Sequence, residues 1–388
     1  MPRDVVNAPV PAWRRSEEIE LYAQSLAAFR DKDLLPYNEK WRKEHLVDPA
    51  VWRKAGEAGL LVPACPEEYG GAGGDYSYDA VFTEEIYGGG AEGWGASLHN
   101  AIVAPYVWSY GTEEQKQRWL PKLVSGELIG AIAMTEPGTG SDLQAVKTTA
   151  KKDGNGYRLN GAKTFITNGQ TANFIIVVAK TDPAEGAKGV SLMIVETDGA
   201  DGFRRGRNLD KVGMDSQDTS ELFFDDVFIP AENLLGPEEG KGFYQLMEKL
   251  PQERLDIAVN AQTLTERALA ETIAYVKERT AFGKAIIDFQ NTQFVLAECK
   301  TEASIGRVFV DSCIERHLKG ELDAAAASMA KYWISDLQGR VTDRCLQLFG
   351  GYGFMNEYPI ARMWRDARVQ RIYGGTNEIM KLLIARTL

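Results

Sequence analysis

The hydrophobic period changes twice along this 388-residue chain, near residues 129 and 240, and those changes constrain the fold more than any other feature. Up to about residue 128 the apolar residues recur at helical spacing. Glu17 to Lys32 sets Leu21, Ala23, Leu26 and Phe29 among charges, and Pro49 to Ala58 continues in the same style. Asp79 to Tyr87 and the more apolar Ala96 to Trp108 follow, separated by glycine-rich loops at 69–74 and 88–95. Thr112 and Gln115 form a capping box, each able to satisfy a free N–H of the other, and start a helix toward Leu123. Beyond 129 the runs shorten to strand length: Leu128–Ala133, Phe174–Ala179, Val190–Val195 and Glu221–Ile229, the last closed by Pro230. Asn160-Gly161, between Tyr157–Leu159 and Lys163–Ile166, reads as a hairpin turn because both residues tolerate positive φ. From Gly240 the helical period returns, with Ile257, Ala261, Leu264 and Ala268 on one stripe and Met329, Trp333, Leu337 and Val341 on another. Helices, strands, helices is an α+β order. It predicts a helical domain over 1–128, a β barrel or sandwich over 129–239, and a C-terminal helical bundle over 240–388.

The net charge of −11 opposes a nucleic-acid surface, which requires clustered positive charge. An anionic ligand would have to be met by local basic groups. Cys65, Cys299, Cys313 and Cys345 make neither a CxxC pair nor a disulfide frame, so a reducing compartment is expected. His45, His99 and His317 are scattered, and no metal site is expected. The charged first twenty residues hold no signal core, and no run of about 18 apolar residues spans a membrane. The expected location is cytoplasmic.

Five segments carry candidate chemistry. Ala133-Met134-Thr135-Glu136-Pro137-Gly138-Thr139-Gly140-Ser141-Asp142 follows a strand, and its glycines, proline and hydroxyls suit close approach of backbone to a ligand. Lys163-Thr164-Phe165-Ile166-Thr167-Asn168-Gly169 comes next. Then come Arg279-Thr280-Ala281-Phe282-Gly283-Lys284 with Gln290 downstream, Gln347-Leu348-Phe349-Gly350-Gly351, and Thr376-Asn377-Glu378. Taken singly they are a turn, a strand with a core Phe165, a solvated helix-end arginine and a helix C-cap. Taken in this order they resemble the acyl-CoA dehydrogenase family over essentially the whole chain. The resemblance implies FAD, bound without a Rossmann GxGxxG. It places Met134, Thr135, Gly140, Ser141, Phe165, Ile166 and Thr167 on the flavin, with the Thr167 hydroxyl near N5. Arg279, Phe282, Gln290, Gln347, Phe349, Gly350 and Gly351 would reach the cofactor of a neighbouring subunit, where a guanidinium forks onto diphosphate oxygens. Thr376 and Glu378 would meet the other end of the dinucleotide.

The implied reaction removes an α-proton from an acyl thioester and delivers a β-hydride to the flavin. Short- and medium-chain members carry the base in Ile-Tyr-Glu-Gly-Thr, whereas this chain has Ile372-Tyr373-Gly374-Gly375-Thr376. The long-chain and isovaleryl branches carry it on a C-terminal helix, and Leu250-Pro251-Gln252-Glu253-Arg254-Leu255 matches the long-chain type. Glu253 is therefore the expected base, its pKa raised by burial. An acidic residue in a first helical turn after Pro251 is the ordinary alternative. Ser141, Tyr244, Pro251, Gln252, Arg254, Gly374 and Gly375 are implied substrate contacts. The expected partners are acyl-CoA, an electron-transfer flavoprotein and three further copies in a homotetramer. A related oxidase reacting with oxygen, and a flavin-bearing scaffold with weak turnover, are the competing readings.

Overall fold

The computed structural model describes residues 2–388 and places an element boundary at each change of period. The first block holds α1 (Glu17–Phe29), α2 (Asn38–Glu44), α3 (Ala50–Glu57), α4 (Tyr76–Ile86), α5 (Ala104–Tyr110) and α6 (Glu113–Val124). Local sequence starts them: Ser16 accepts the Ile19 N–H ahead of α1, and Asp75 accepts the Ser77 N–H ahead of α4. The capping box forms as read, with the Thr112 N–H donating to Gln115 Oε1 at 3.0 Å and the Gln115 N–H to Thr112 Oγ1 at 3.3 Å. The helix read over 96–108 is not uniform: Leu98–Val103 is π-helical and runs into α5.

The middle block folds as one curled seven-stranded sheet. Its strands are β1 (Gly130–Ala133), β2 (Thr149–Asp153), β3 (Gly156–Thr167), β4 (Phe174–Lys180), β5 (Val190–Glu196), β6 (Phe203–Asn208) and β7 (Thr219–Pro230). The order is β1-β4-β2-β3-β7-β6, with β5 also paired to β4. The Asn160-Gly161 turn is a correction: β3 passes straight through it. The hairpin reverses instead at Gly154-Asn155, between the paired Asp153 and Gly156, with Gly154 at φ +56°. Asn160-Gly161 marks a register shift of β3 on β7 between Leu159 and Gly161. A Cβ at Gly161 would lie 2.3 Å from Thr148 Oγ1, so the glycine serves a bulge rather than a turn.

The third block is α7 (Gly242–Glu278), the short hairpin β8 (Thr280–Ala281) and β9 (Lys284–Ala285), α8 (Gln290–Leu318), α9 (Ala324–Leu348), α10 (Pro359–Asp366) and α11 (Asn377–Ala385). The Ile257–Ala268 stripe is buried, as are Leu337 and Val341, but Met329 is exposed at the start of its stripe. One apolar cluster runs from the N-terminal helices into the sheet, with the Trp119 ring edge-on to Phe174 at 5.5 Å. A second fills the C-terminal helices. Arg307, fully buried on α8, joins the first and third blocks by pairing with Glu266 on α7 at 2.7 Å and Glu84 on α4 at 2.8 Å. Among the described residues no helix is long and apolar enough to cross a membrane.

Candidate active site

All three blocks meet around a cavity of about 410 Å³, large enough for a small-molecule site. The N-terminal block contributes Leu98 and Ile102, and the sheet contributes Met134, Thr135, Gly140, Ser141, Phe165, Ile166 and Thr167. The C-terminal block contributes Glu253, Arg254, Ile257, Gly374 and Gly375.

The loop after β1 is held from beneath. Glu136 and Thr139 exchange backbone hydrogen bonds at 2.9 and 3.0 Å, closing a tight turn. The Glu136 carboxylate accepts the N–H groups of Lys147 at 2.6 Å and Thr148 at 2.9 Å. It also accepts Lys163 Nζ at 2.9 Å, and that ammonium donates to Met134 O at 3.0 Å. Burial would raise the Glu136 pKa, but Lys163 and the N–H donors outweigh it and hold the carboxyl below its ordinary range. Thr135 and Ser141, in the same loop, line the cavity. On β3, Phe165 sits at φ +61° within a second register shift and is 67 % exposed. A bulky residue in that conformation is strained, and here it leaves an exposed aromatic side chain lining the cavity.

Glu253 lies deep inside α7, not in a first turn, so the helix dipole does not account for it. It is 5 % exposed and lines the cavity. Burial pushes its carboxyl up to about 7, against the opposing pull of the Tyr106 hydrogen bond and the Arg254 charge. The Tyr106 hydroxyl donates to Glu253 Oε1 at 2.7 Å. In the loop ahead of α11, Gly374 has φ +61°, and a Cβ there would meet Ile257 Cδ1 at 2.2 Å. A side chain at 374 would therefore enter the cavity that Glu253 lines. Lys331 Nζ pins this loop by donating to Gly375 O at 2.7 Å and Asn377 Oδ1 at 3.0 Å.

Several implied contacts stand apart from this cavity. Tyr244 is 54 % exposed and does not line it, and neither do Pro251 and Gln252. The Gln252 amide instead donates to Ala101 O at 2.7 Å. The Thr376 hydroxyl caps α11 through the Ile379 N–H, and Glu378 is exposed. Arg279, Phe349, Gly350 and Gly351 line a second, more open cavity with Tyr275 and Tyr352. Phe282 projects from the β8–β9 turn at φ +51° and is 96 % exposed, while Gln290 and Gln347 are also exposed. Within one chain the two groups do not meet.

Sequence reading missed Tyr106, Ile257, Lys331 and the Glu136–Lys163 anchor. Ile257 was read only as part of an apolar stripe, and the anchor left a trace because both its residues fall inside quoted segments. Tyr106 and Glu253 are 147 positions apart, and no spacing rule joins them.

The donor set fits a flavin. The hydroxyls of Thr135, Ser141 and Thr167 make no hydrogen bond within the described residues, and all three residues line the cavity with the exposed Phe165. Comparison with known proteins agrees. Residues 16–127, 131–227 and 240–388 match in turn the N-terminal, middle and C-terminal domains of acyl-CoA dehydrogenases. The chain is 52 % identical over 376 residues to the mitochondrial long-chain specific acyl-CoA dehydrogenase of Sus scrofa, covering 96 % of this chain and 87 % of that one. It superposes on the acyl-CoA dehydrogenase of Geobacillus kaustophilus with a TM-score of 0.93 at 53 % identity, over 96 % and 98 % of the two chains. The TM-score is 0.87 at 28 % identity, over 96 % and 94 %, with a glutaryl-CoA dehydrogenase of Mycobacterium smegmatis in complex with FADH2. With three domains matched in sequence order and a flavin-suited wall beside a buried carboxyl, the chain belongs to the acyl-CoA dehydrogenase family of FAD-dependent oxidoreductases.

Proposed function

We propose that this chain converts a long-chain acyl-CoA to its trans-2-enoyl-CoA in fatty-acid β-oxidation, with Glu253 as the base and an electron-transfer flavoprotein as acceptor. The observation that carries the reading is the Glu253 carboxyl, poised near neutrality by burial and facing a shared cavity with the Gly374 loop. A base of that pKa is ionised often enough at neutral pH to act, yet strong enough to take a proton made acidic by the thioester. Its proton comes from the substrate Cα. The Gly374 backbone N–H, in a cavity-lining loop that Lys331 holds through Gly375 O, is the proposed donor to the enolate oxygen. Thr135, Ser141, Phe165 and Thr167 hold the flavin, and bound FAD supplies the two-electron acceptor. Leu98, Ile102 and Leu250 give the cavity an apolar wall suited to an acyl chain.

The exposed Phe282 and Arg279 support assembly as a tetramer, in which the second cavity receives part of a neighbour's cofactor. The four cysteines are buried and unpaired, as suits a reducing compartment. The test is anaerobic bleaching of the flavin by acyl-CoAs from short to long, followed by transfer to an electron-transfer flavoprotein. Bleaching strongest with long chains is expected. No bleaching by any acyl-CoA would end the reading, and rapid oxygen consumption without the flavoprotein would replace it with an oxidase.

A further inference from the structure

Glu253 is held from one side only. Its Oε1 accepts the Tyr106 hydroxyl at 2.7 Å, and among the described residues no hydrogen bond engages Oε2. Tyr106 is 0 % exposed and lies on α5, directly after the π-helical run that carries the cavity residues Leu98 and Ile102. The neighbouring residue of α7 is tied to the same segment, because Gln252 Nε2 donates to Ala101 O at 2.7 Å. Two consecutive α7 residues are thus stitched to one irregular helix, a type of distortion that gathers at functional sites.

We propose that Tyr106 is the positioning residue of the catalytic base, its hydroxyl fixing Oε1 so that Oε2 is the oxygen presented to the substrate. The inference rests on Glu253 being the base. It is independent of the family motifs, none of which includes Tyr106. The phenol is buried beside a carboxylate, and both effects push its own pKa far upward, so it remains a donor throughout the working pH range. A donor to the charged form favours ionisation. The other groups around Glu253 are Lys249, Arg254 and Asp256 on its own helix and Tyr110 on α5, while Tyr373 and Glu92 line the same cavity. Arg254 and Lys249 act in the same direction as Tyr106, and Asp256 opposes them.

The test is Tyr106→Phe in the holoenzyme, with the rate of anaerobic flavin reduction by acyl-CoA measured against pH. The ring that fills the site is kept, and FAD content reports whether the fold is intact. The midpoint of the pH–rate curve should rise by about one unit, the scale of a lost hydrogen bond to a charged group. Acyl-CoA affinity should stay near the parent value. Tyr106→Gln, which restores a donor, should bring the midpoint back toward the parent and serves as the readout if the Phe variant does not fold. The same change made in Glu253→Gln should have little further effect, because the two act through one contact. An unmoved midpoint, or a loss of rate that recurs in full in the Glu253→Gln background, overturns the role of Tyr106. Glu253→Gln reducing its flavin at the parent rate would instead overturn the base assignment, so the two failures are distinguishable.

Discussion

A buried carboxyl that is charged at working pH destabilises the fold that holds it, and Glu253, the proposed base, allows this to be measured. The perturbation is Glu253→Gln, which keeps the shape and an acceptor for the Tyr106 hydroxyl. Unfolded, the Glu253 carboxyl has its ordinary value of 4.5, and folded it is pushed up to about 7. Between those values the folded protein holds a proton that the unfolded chain has released. Parent stability therefore falls as pH rises from about 4.5 to about 7 and levels off above. Glutamine does not titrate and escapes this loss. A gap of about 2.5 pH units at about 1.4 kcal/mol per unit gives about 3.5 kcal/mol in favour of Gln once the pH is above about 7. Contributions of the other buried acids occur in both proteins and largely cancel in the difference. The assay is thermal unfolding of the two holoenzymes from about pH 5 to pH 8. The Tm advantage of the Gln variant should be small at the acid end and grow to a plateau. A constant difference, or a parent that is the more stable at pH 8, would refute the reasoning.

Three other outcomes follow from the same geometry. Lys163→Met strands the Glu136 carboxylate beneath the flavin loop and should cost about 3–5 kcal/mol, as for other broken buried pairs, with loss of bound FAD; the double change with Glu136→Gln should recover part of the thermal stability, and a single variant as stable as the parent would contradict the anchor. Arg279→Ala should lower FAD retention after gel filtration while leaving the Glu253 cavity untouched, and unchanged retention would separate Arg279 from the cofactor. Moving the base to the other wall, as Glu253→Gln with Gly374→Glu, should restore some flavin reduction, and more when Ile257→Ala clears the Cδ1 that lies 2.2 Å from the new Cβ; a triple variant that binds acyl-CoA yet stays inactive would show that the two approaches are not interchangeable.

The order of blocks was legible because periodicity is a local property: a period of 3.6 or 2 commits a face to burial wherever the chain goes. The capping box at Thr112 was legible for the same reason, since donor and acceptor are three residues apart. The Asn160-Gly161 reading failed because conformational tolerance says where a backbone can be unusual, not whether it turns; pairing of β3 with β7 made it a bulge. Glu253 could be named by its match to a family pattern. Its basicity could not, because it arises from burial in the folded chain and is tempered by a hydrogen bond from a tyrosine 147 residues away. The implied contacts were split between two cavities and positions that line neither for a similar reason. A motif reports which residue is present, whereas the direction it faces depends on how α7, α8 and α9 pack. The sequence by itself determined the helix–strand–helix order, the composition of the loop after β1 and the glycine at 374. The tertiary structure alone decided what charges Glu253, what steadies it and which residues share its cavity, because those depend on distances between elements that no local pattern encodes.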